Sequence, residues 1–265
     1  MQFHLSRNPT DSTYVIAVPS HLSDKRKYYF ILCNPSIGKT KVIKCLPPED
    51  EGMMITTFGL CPDHPNHDVL VIRIVFFYGY SAKSFFGKKL PYTEVYSIKK
   101  KSWTRVGGFD NSFNPSFMVL ADRAVFVQGA LHWKTACLDQ EMIMSFKIFE
   151  KKFKILKLAI DCFSNMYMIN WKLANWKGTL AFIVIGEAQP PRRNTIIGVE
   201  NVPLLPLKIC EMWMLNGDGE VESWSKIFRF TFLKRGLVRL VGMTNNQQLL
   251  LNFDGELIGY DLNKK

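Results

Sequence analysis

The chain runs to 265 residues with a formal net charge of +11, 47% hydrophobic and 22% charged, ordinary values for one large all-β domain or two small ones. No apolar run approaches the roughly 18 residues of a membrane span, and the opening Met1-Gln2-Phe3-His4-Leu5-Ser6-Arg7 is no signal peptide. The scattered cysteines, Cys33, Cys45, Cys61, Cys137, Cys162 and Cys210, form no Cys-x-x-Cys pair, and each Asn-x-Ser/Thr triplet carries Pro in the middle, which argues against a structural zinc site, a disulfide scaffold or N-glycosylation and points to a cytosolic or nuclear setting.

Strand signals dominate, and the abundance of Phe suits half-buried strands. Thr13 to Val18 is the first, stopped by Pro19. Tyr28 to Cys33 follows, then the turn Asn34-Pro35-Ser36-Ile37-Gly38 and an alternating run from Lys39 to Leu46 that Pro47-Pro48 ends. Val69 to Phe77 has the continuous apolar character of a buried strand. Val125-Phe126-Val127 and Gly129 to Trp133 form a tight hairpin around Gln128-Gly129. Ile143 to Ile148 turns at Phe149-Glu150-Lys151-Lys152 and returns as Phe153 to Leu156. Asn175 to Gly178 and Asn216 to Gly219 are Gly-marked turns, and Leu249 to Phe253 turns at Asp254-Gly255 into Leu257 to Leu262. No segment carries a helical stripe of more than about three turns. Gly79 to Pro91 and the proline-rich Gln189 to Pro206 read as long exposed loops.

One pattern recurs. Glu94-Val95-Tyr96-Ser97-Ile98 passes through a lysine-rich turn into Ser102-Trp103-Thr104-Arg105-Val106. Glu211-Met212-Trp213-Met214-Leu215 passes through a Gly/Asp turn into Ser223-Trp224-Ser225-Lys226-Ile227. Repeated hairpins build propellers and related arrays. The hairpin turns near Asn34, Lys100, Glu150, Gly217 and Asn263 are unevenly spaced, with room for about six blades at most. The expected fold is all-β: a complete or incomplete kelch-like, β-propeller-type array of antiparallel hairpins, in one domain over residues 1–265.

No motif carries catalysis. His132 sits between Leu131 and Trp133 and reads as a packed histidine, with no Gly-x-Ser-x-Gly elbow anywhere. Cys61-Pro62-Asp63-His64-Pro65-Asn66-His67-Asp68 clusters Cys and His but lacks a second ligand pair, so it reads as a polar loop and no metal is expected. Gly107-Gly108 lacks the spacing and the lysine of a phosphate loop, and no cofactor is expected. The tryptophans 103, 133, 171, 176, 213 and 224 suit core packing between strands. Basic residues crowd the middle of the chain, which suits an acidic partner, an acidic lipid or nucleic acid; most sit in turns, as solvated charge does. The best binding candidates are Lys88-Lys89 and Arg192-Arg193, because loops on rigid β scaffolds often carry recognition.

Seven segments, in order, resemble the F-box-associated domain of plant F-box proteins. Cys33 to Gly38 with Leu46-Pro47-Pro48 resembles its "N-P-S/T-T-G … L-P-P" signature, and Phe58-Gly59 with Asp68 to Ile74 its "F-G-Y-D … D-Y-K-V-V-R-I" segment. Glu94 to Val106 resembles "E-V-Y-S-L … S-W-R", and Val125 to Trp133 resembles "V-F-V-N-G-A-L-H-W". Ile143 to Phe153 is similar to "I-L-S-F-D … E-K-F", Glu211 to Phe228 to "E-V-W-V-M … S-W-T-K-L-F", and Leu257 to Lys264 to "L-V-S-Y-D-L … K". Two departures stand out: Leu60-Cys61 replaces Tyr-Asp and Lys147 replaces Asp, so local turns are expected to differ there.

The resemblance implies a protein-binding module without catalytic residues, the part of an SCF-type cullin–RING ubiquitin ligase subunit that selects a protein client. It implies a Skp-type adaptor and a cullin as partners only where an F-box is present. The F-box is expected to be absent here, since Phe3 to Arg7 resembles the stretch that normally follows it. No membrane partner is expected. A basic nucleic-acid-binding β domain is the first alternative, without any RNA-recognition or zinc-finger signature to support it. An enzyme on a propeller scaffold is the second.

Overall fold

The structure, a computed structural model, describes residues 4–7, 14–18, 29–34, 37–46, 53–63, 65–78, 91–109, 117–119, 124–137, 140–158, 166–188, 207–217, 223–233, 238–244 and 246–262. Among them the secondary structure is strand throughout, arranged in five antiparallel sheets. The first sheet holds β1 (His4–Arg7), β2 (Tyr14–Val18), β3 (Tyr29–Asn34) and β4 (Lys39–Lys44). The second holds β5 (Met53–Asp63), β6 (Asp68–Tyr78), β7 (Tyr92–Ser97) and β8 (Ser102–Gly108). The third runs β10 (Val125–Val127), β11 (Ala130–Cys137), β12 (Gln140–Lys147), β13 (Lys152–Lys157), with β9 (Phe117–Val119) also paired to β11. The fourth holds β14 (Met166–Trp176), β15 (Thr179–Ala188), β16 (Leu207–Asn216) and β17 (Ser223–Leu233). The fifth has three strands, β18 (Val238–Met243), β19 (Gln248–Phe253) and β20 (Glu256–Asp261). Four of the sheets are meanders in which neighbours in sequence are neighbours in space, as the hairpin repeat predicts, and in the third both β9 and β10 pair with β11. The residues group into two compact units, Met1–Lys157 and Leu158–Lys265.

Turn chemistry sets these registers. Gln128-Gly129, Lys177-Gly178 and Asp254-Gly255 are two-residue turns with positive φ at both positions, the geometry whose twist matches that of the flanking strands. Asn175 Oδ1 accepts a bond from Gly178 N at 2.9 Å, and Asn252 Oδ1 one from Gly255 N at 3.0 Å, so two of these hairpins carry the same side-chain brace. The four-residue turns 98–101 and 148–151 also share a device: each ends on a lysine, Lys101 and Lys151, at φ +54°. The Ser-Trp repeat opens β8 and β17, as expected. The third strand before it is not identical in register: Tyr96 faces Trp103 whereas Leu215 faces Trp224, and the second hairpin also carries a bulge at Met212/Trp213.

In the N-terminal unit the second sheet is packed on both faces. Along β5 and β6 the side chains alternate: Phe58, Leu60 and Val71 pack with Phe30, Leu32 and Ile43 of the first sheet. Cys61, Ile72, Ile74 and Phe76 pack with Leu131, Trp133, Met144 and Phe146 of the third. Burial on both faces is why 69–77 reads as a continuous apolar run rather than an alternating one. In the C-terminal unit Ala181, Ile183, Ile185, Cys210 and Met212 pack against Leu240, Leu249, Leu251 and Phe253.

Two sequence expectations are corrected. Cys61, Pro62 and Asp63 are not loop but the end of β5, paired with Leu70, Val69 and Asp68. Proline is tolerated because β5 is an edge strand. For the same reason Leu60-Cys61 is no altered turn: both are fully buried strand residues, so the two apolar side chains supply core.

Candidate functional site

Lys88, Lys89, Arg192 and Arg193 lie outside the described residues, so the loops that carry them have no structural account. The remaining candidates can be placed. Cys61 points into the core, and the turn after it is a hydrogen-bonded knot. Asn66 Nδ2 donates to Asp63 Oδ2 at 2.8 Å, and Asp68 accepts from Val69 N at 2.8 Å, from Lys99 N at 2.9 Å and from the Ser97 hydroxyl. Lys99 Nζ closes the knot on Asn66 O at 2.9 Å. The acidic side chains here brace two turns of one sheet end. Among the described residues no group of three or more His, Cys, Asp or Glu is placed to hold a metal ion.

His132 is buried beside Ser145, its register partner on β12. Burial strips water from the charged ring and pushes its pKa down to about 4, against a raising contribution from the backbone bond to Val127. A neutral imidazole sealed in a sheet meets no substrate, and its chemistry is felt in stability. The unfolded chain takes a proton near pH 6.5 and the folded one only near pH 4, so stability is full above 6.5 and falls between the two values. The complete loss is on the order of 3 kcal/mol. His132→Gln is therefore expected to flatten the dependence of the unfolding midpoint on pH across that window; an unchanged slope would show that other groups carry it.

The buried thiols are also inert. Burial pushes Cys45 up to about 11 and raises Cys61 and Cys210 further, so none offers a thiolate nucleophile at neutral pH. The tryptophans pack and brace rather than line a cavity. Trp133 Nε1 donates to Phe58 O at 3.3 Å and Trp103 Nε1 to Lys44 O at 3.0 Å, each reaching from one sheet to the next. Trp171, Trp213 and Trp224 surround Phe182 with ring centroids 6.1, 6.2 and 4.9 Å away.

The repeated Glu of the two hairpins turns out to be structural. Glu94 Oε2 accepts from Arg73 Nη1 at 2.9 Å, both groups are buried, and Arg73 Nη1 also donates to Leu46 O at 2.9 Å. Glu211, buried at the same point of its own sheet, accepts from Lys226 at 2.9 Å, Arg229 at 3.2 Å and Trp213 Nε1 at 3.0 Å.

The surface the sequence undervalued is the outer strands of the N-terminal unit. The fourth strands β4 and β13 carry three lysines each and β8 carries Arg105, with no Asp or Glu in any of them. They follow one another in space. Lys44, at the end of β4, meets Trp103 at the start of β8. Phe109, just past the end of β8, stacks on Phe153 at the start of β13 with ring centroids 3.8 Å apart. Lys39, Lys41, Lys44, Lys100 and Lys152 are exposed along this band. The signal in the sequence was the placement of lysines at or just after each third-to-fourth-strand turn, which reads locally as ordinary turn charge.

Comparison with known proteins supplies the context. Residues 22–174 match the family described as the F-box associated beta propeller domain. An F-box/kelch-repeat protein of Arabidopsis thaliana is 23% identical over 173 residues, which is 64% of this chain; the chain spans 40% of that relative's length. Among solved structures, the α-L-arabinofuranosidase of Lactobacillus brevis aligns with 99% of this chain and 85% of its own at 10% identity and a TM-score of 0.43. The NanB sialidase of Streptococcus pneumoniae aligns with 99% and 68% at 8% identity and a TM-score of 0.38. At those scores neither carries an argument about this chain.

Proposed function

The chain belongs to the family of F-box associated β-propeller domains, and on that premise we propose that it is the client-recognition module of an SCF-type ubiquitin ligase subunit. The family match across residues 22–174 is the observation that carries this reading. The structure fits a binding role: a braced β scaffold whose buried histidine and thiols are removed from solvent and whose outer strands present a charged surface. Ubiquitin transfer then belongs to the ligase that the module serves, and the chain itself binds without turning over. Docking to a Skp-type adaptor and a cullin belongs to an F-box, in any product that carries one. The cytoplasm or nucleus is the compartment in which such a ligase meets its clients.

The test is affinity capture of the tagged chain from plant cells with the proteasome blocked, read by mass spectrometry. A reproducible set of proteins enriched over a fold-disrupted control is expected, with no stoichiometric Skp-type adaptor on the chain as given. No enrichment over that control, or an adaptor held stoichiometrically by the propeller itself, contradicts the reading.

A further inference from the structure

We propose that the basic band formed by β4, β8 and β13 docks an extended, acidic segment of a protein partner; this rests on the client-recognition reading and names the chemistry of the client. Three observations converge. First, the positive charge is not neutralised locally. Among the described residues Glu150 is engaged by Lys147 at 3.0 Å, Asp68 is saturated within its turn, and Glu94 is turned inward onto Arg73. Lys39, Lys41, Lys44, Lys100 and Lys152 stand in no ion pair with them. Second, β4, β8 and β13 are the outermost strands of their sheets, and no described strand pairs with their outer edges. An open edge offers backbone donors and acceptors to an added strand. Third, exposed apolar side chains lie among the lysines: Val42 is 62% exposed and Phe149, at the turn before β13, 64%.

Edge lysines ordinarily guard a sheet against pairing with copies of itself. The same charge that repels a second basic edge attracts an acidic one, so the band rejects self-association and selects carboxylates by one device. Nucleic acid fits less well. Single strands are held by stacking on several free aromatic faces, and the described rings along β8 and β13 are engaged, Trp103 against Phe30 and Tyr96 and Phe109 against Phe153, which leaves Phe149, in the turn before β13, as the exposed ring beside these strands. Arg105, the only arginine in these three strands, lies over the Tyr92 ring at 4.2 Å. The described residues provide no helix to enter a groove.

The experiment measures binding of labelled poly-L-glutamate, and separately of single- and double-stranded DNA of matched charge, to the full chain by fluorescence anisotropy across a salt series. Poly-L-glutamate is expected to bind more tightly than either DNA. The K39E/K41E/K44E variant and, independently, K152E/K154E are each expected to weaken it at least about tenfold, equivalent to roughly 1.4 kcal/mol. R239E, which reverses an exposed charge in the C-terminal unit, is expected to leave it unchanged. Lys39, Lys41, Lys44 and Lys152 are exposed and Lys154 half-buried, so unfolding midpoints near wild type are the check that each variant is intact. Equal loss in R239E, no loss in the triple variant, or tighter binding to DNA through the same lysines overturns the proposal. Failure here is separable from failure of the functional reading: proteins captured by the wild-type chain and retained by the triple variant refute the band while leaving client recognition standing.

Discussion

Truncation of either Arg73 or Glu94 to alanine is expected to destabilise the N-terminal unit by about 3–5 kcal/mol, because each leaves the other charge buried without its partner. The side chains are 0% and 5% exposed and meet at 2.9 Å. Arg73 also fastens the second sheet to the first through Leu46 O, so its loss removes a brace between sheets as well as a charge pair. Replacing both residues together, as R73M/E94L, removes both charges with side chains of similar bulk. That double variant is expected to be clearly more stable than the sum of the single truncations implies, since no charge is left stranded. Urea unfolding followed by hydrogen exchange at β6 and β7 amides confines the readout to this unit. Single truncations that cost under about 1 kcal/mol would show that water reaches the pair.

The junction of the second and third sheets gives the other large effect. Trp133, fully buried, lies against Gly59 of β5 and donates to the carbonyl of Phe58. Trp133→Ala is expected to cost about 3–5 kcal/mol, since an indole-sized void opens in a close-packed interior. The reverse error should also be felt. A Cβ at Gly59 would stand 2.7 Å from Leu131 Cδ1 and 3.0 Å from the Trp133 ring, closer than side chains approach. Gly59→Val is therefore expected to cost about 1–3 kcal/mol by overpacking. Leu131→Ala added to Gly59→Val should recover part of that loss by making room. Strictly additive losses would mean that the glycine is required for some reason other than space.

Much of the fold was legible because its signals are local. Gln128-Gly129 and Asp254-Gly255 announce two-residue hairpins, and Ser102-Trp103 and Ser223-Trp224 mark where fourth strands begin. What was not legible depends on partners distant in sequence. Cys61 to Asp68 reads as a polar loop, and the place of Pro62 on an edge strand lets β5 run through it to Asp63. Arg73 is a charge inside the apolar run Ile72–Ile74, and the glutamate that makes it tolerable stands 21 residues away on the next strand. β20 reads as the return strand of the Asp254-Gly255 hairpin, and Leu257, Ile258 and Tyr260 stay partly exposed where no described strand covers its outer edge. The proposed docking band was the least legible part. Lysines in β4, the 98–101 turn and β13 are far apart in the chain, and only the contacts of Trp103 with Lys44 and of Phe109 with Phe153 bring them into one band. The candidates chosen from sequence, Lys88, Lys89, Arg192 and Arg193, fall outside the described residues.

Client selection for degradation is the central claim, and the most direct measurement joins residues 1–265 to an F-box. An F-box is fused ahead of residue 1, and the abundance of each protein captured by the unfused chain is followed in plant cells. The account predicts that those proteins decline when the fusion is expressed and recover when the proteasome is blocked. Unchanged abundance, with the fusion demonstrably assembled on its adaptor and cullin, would contradict it.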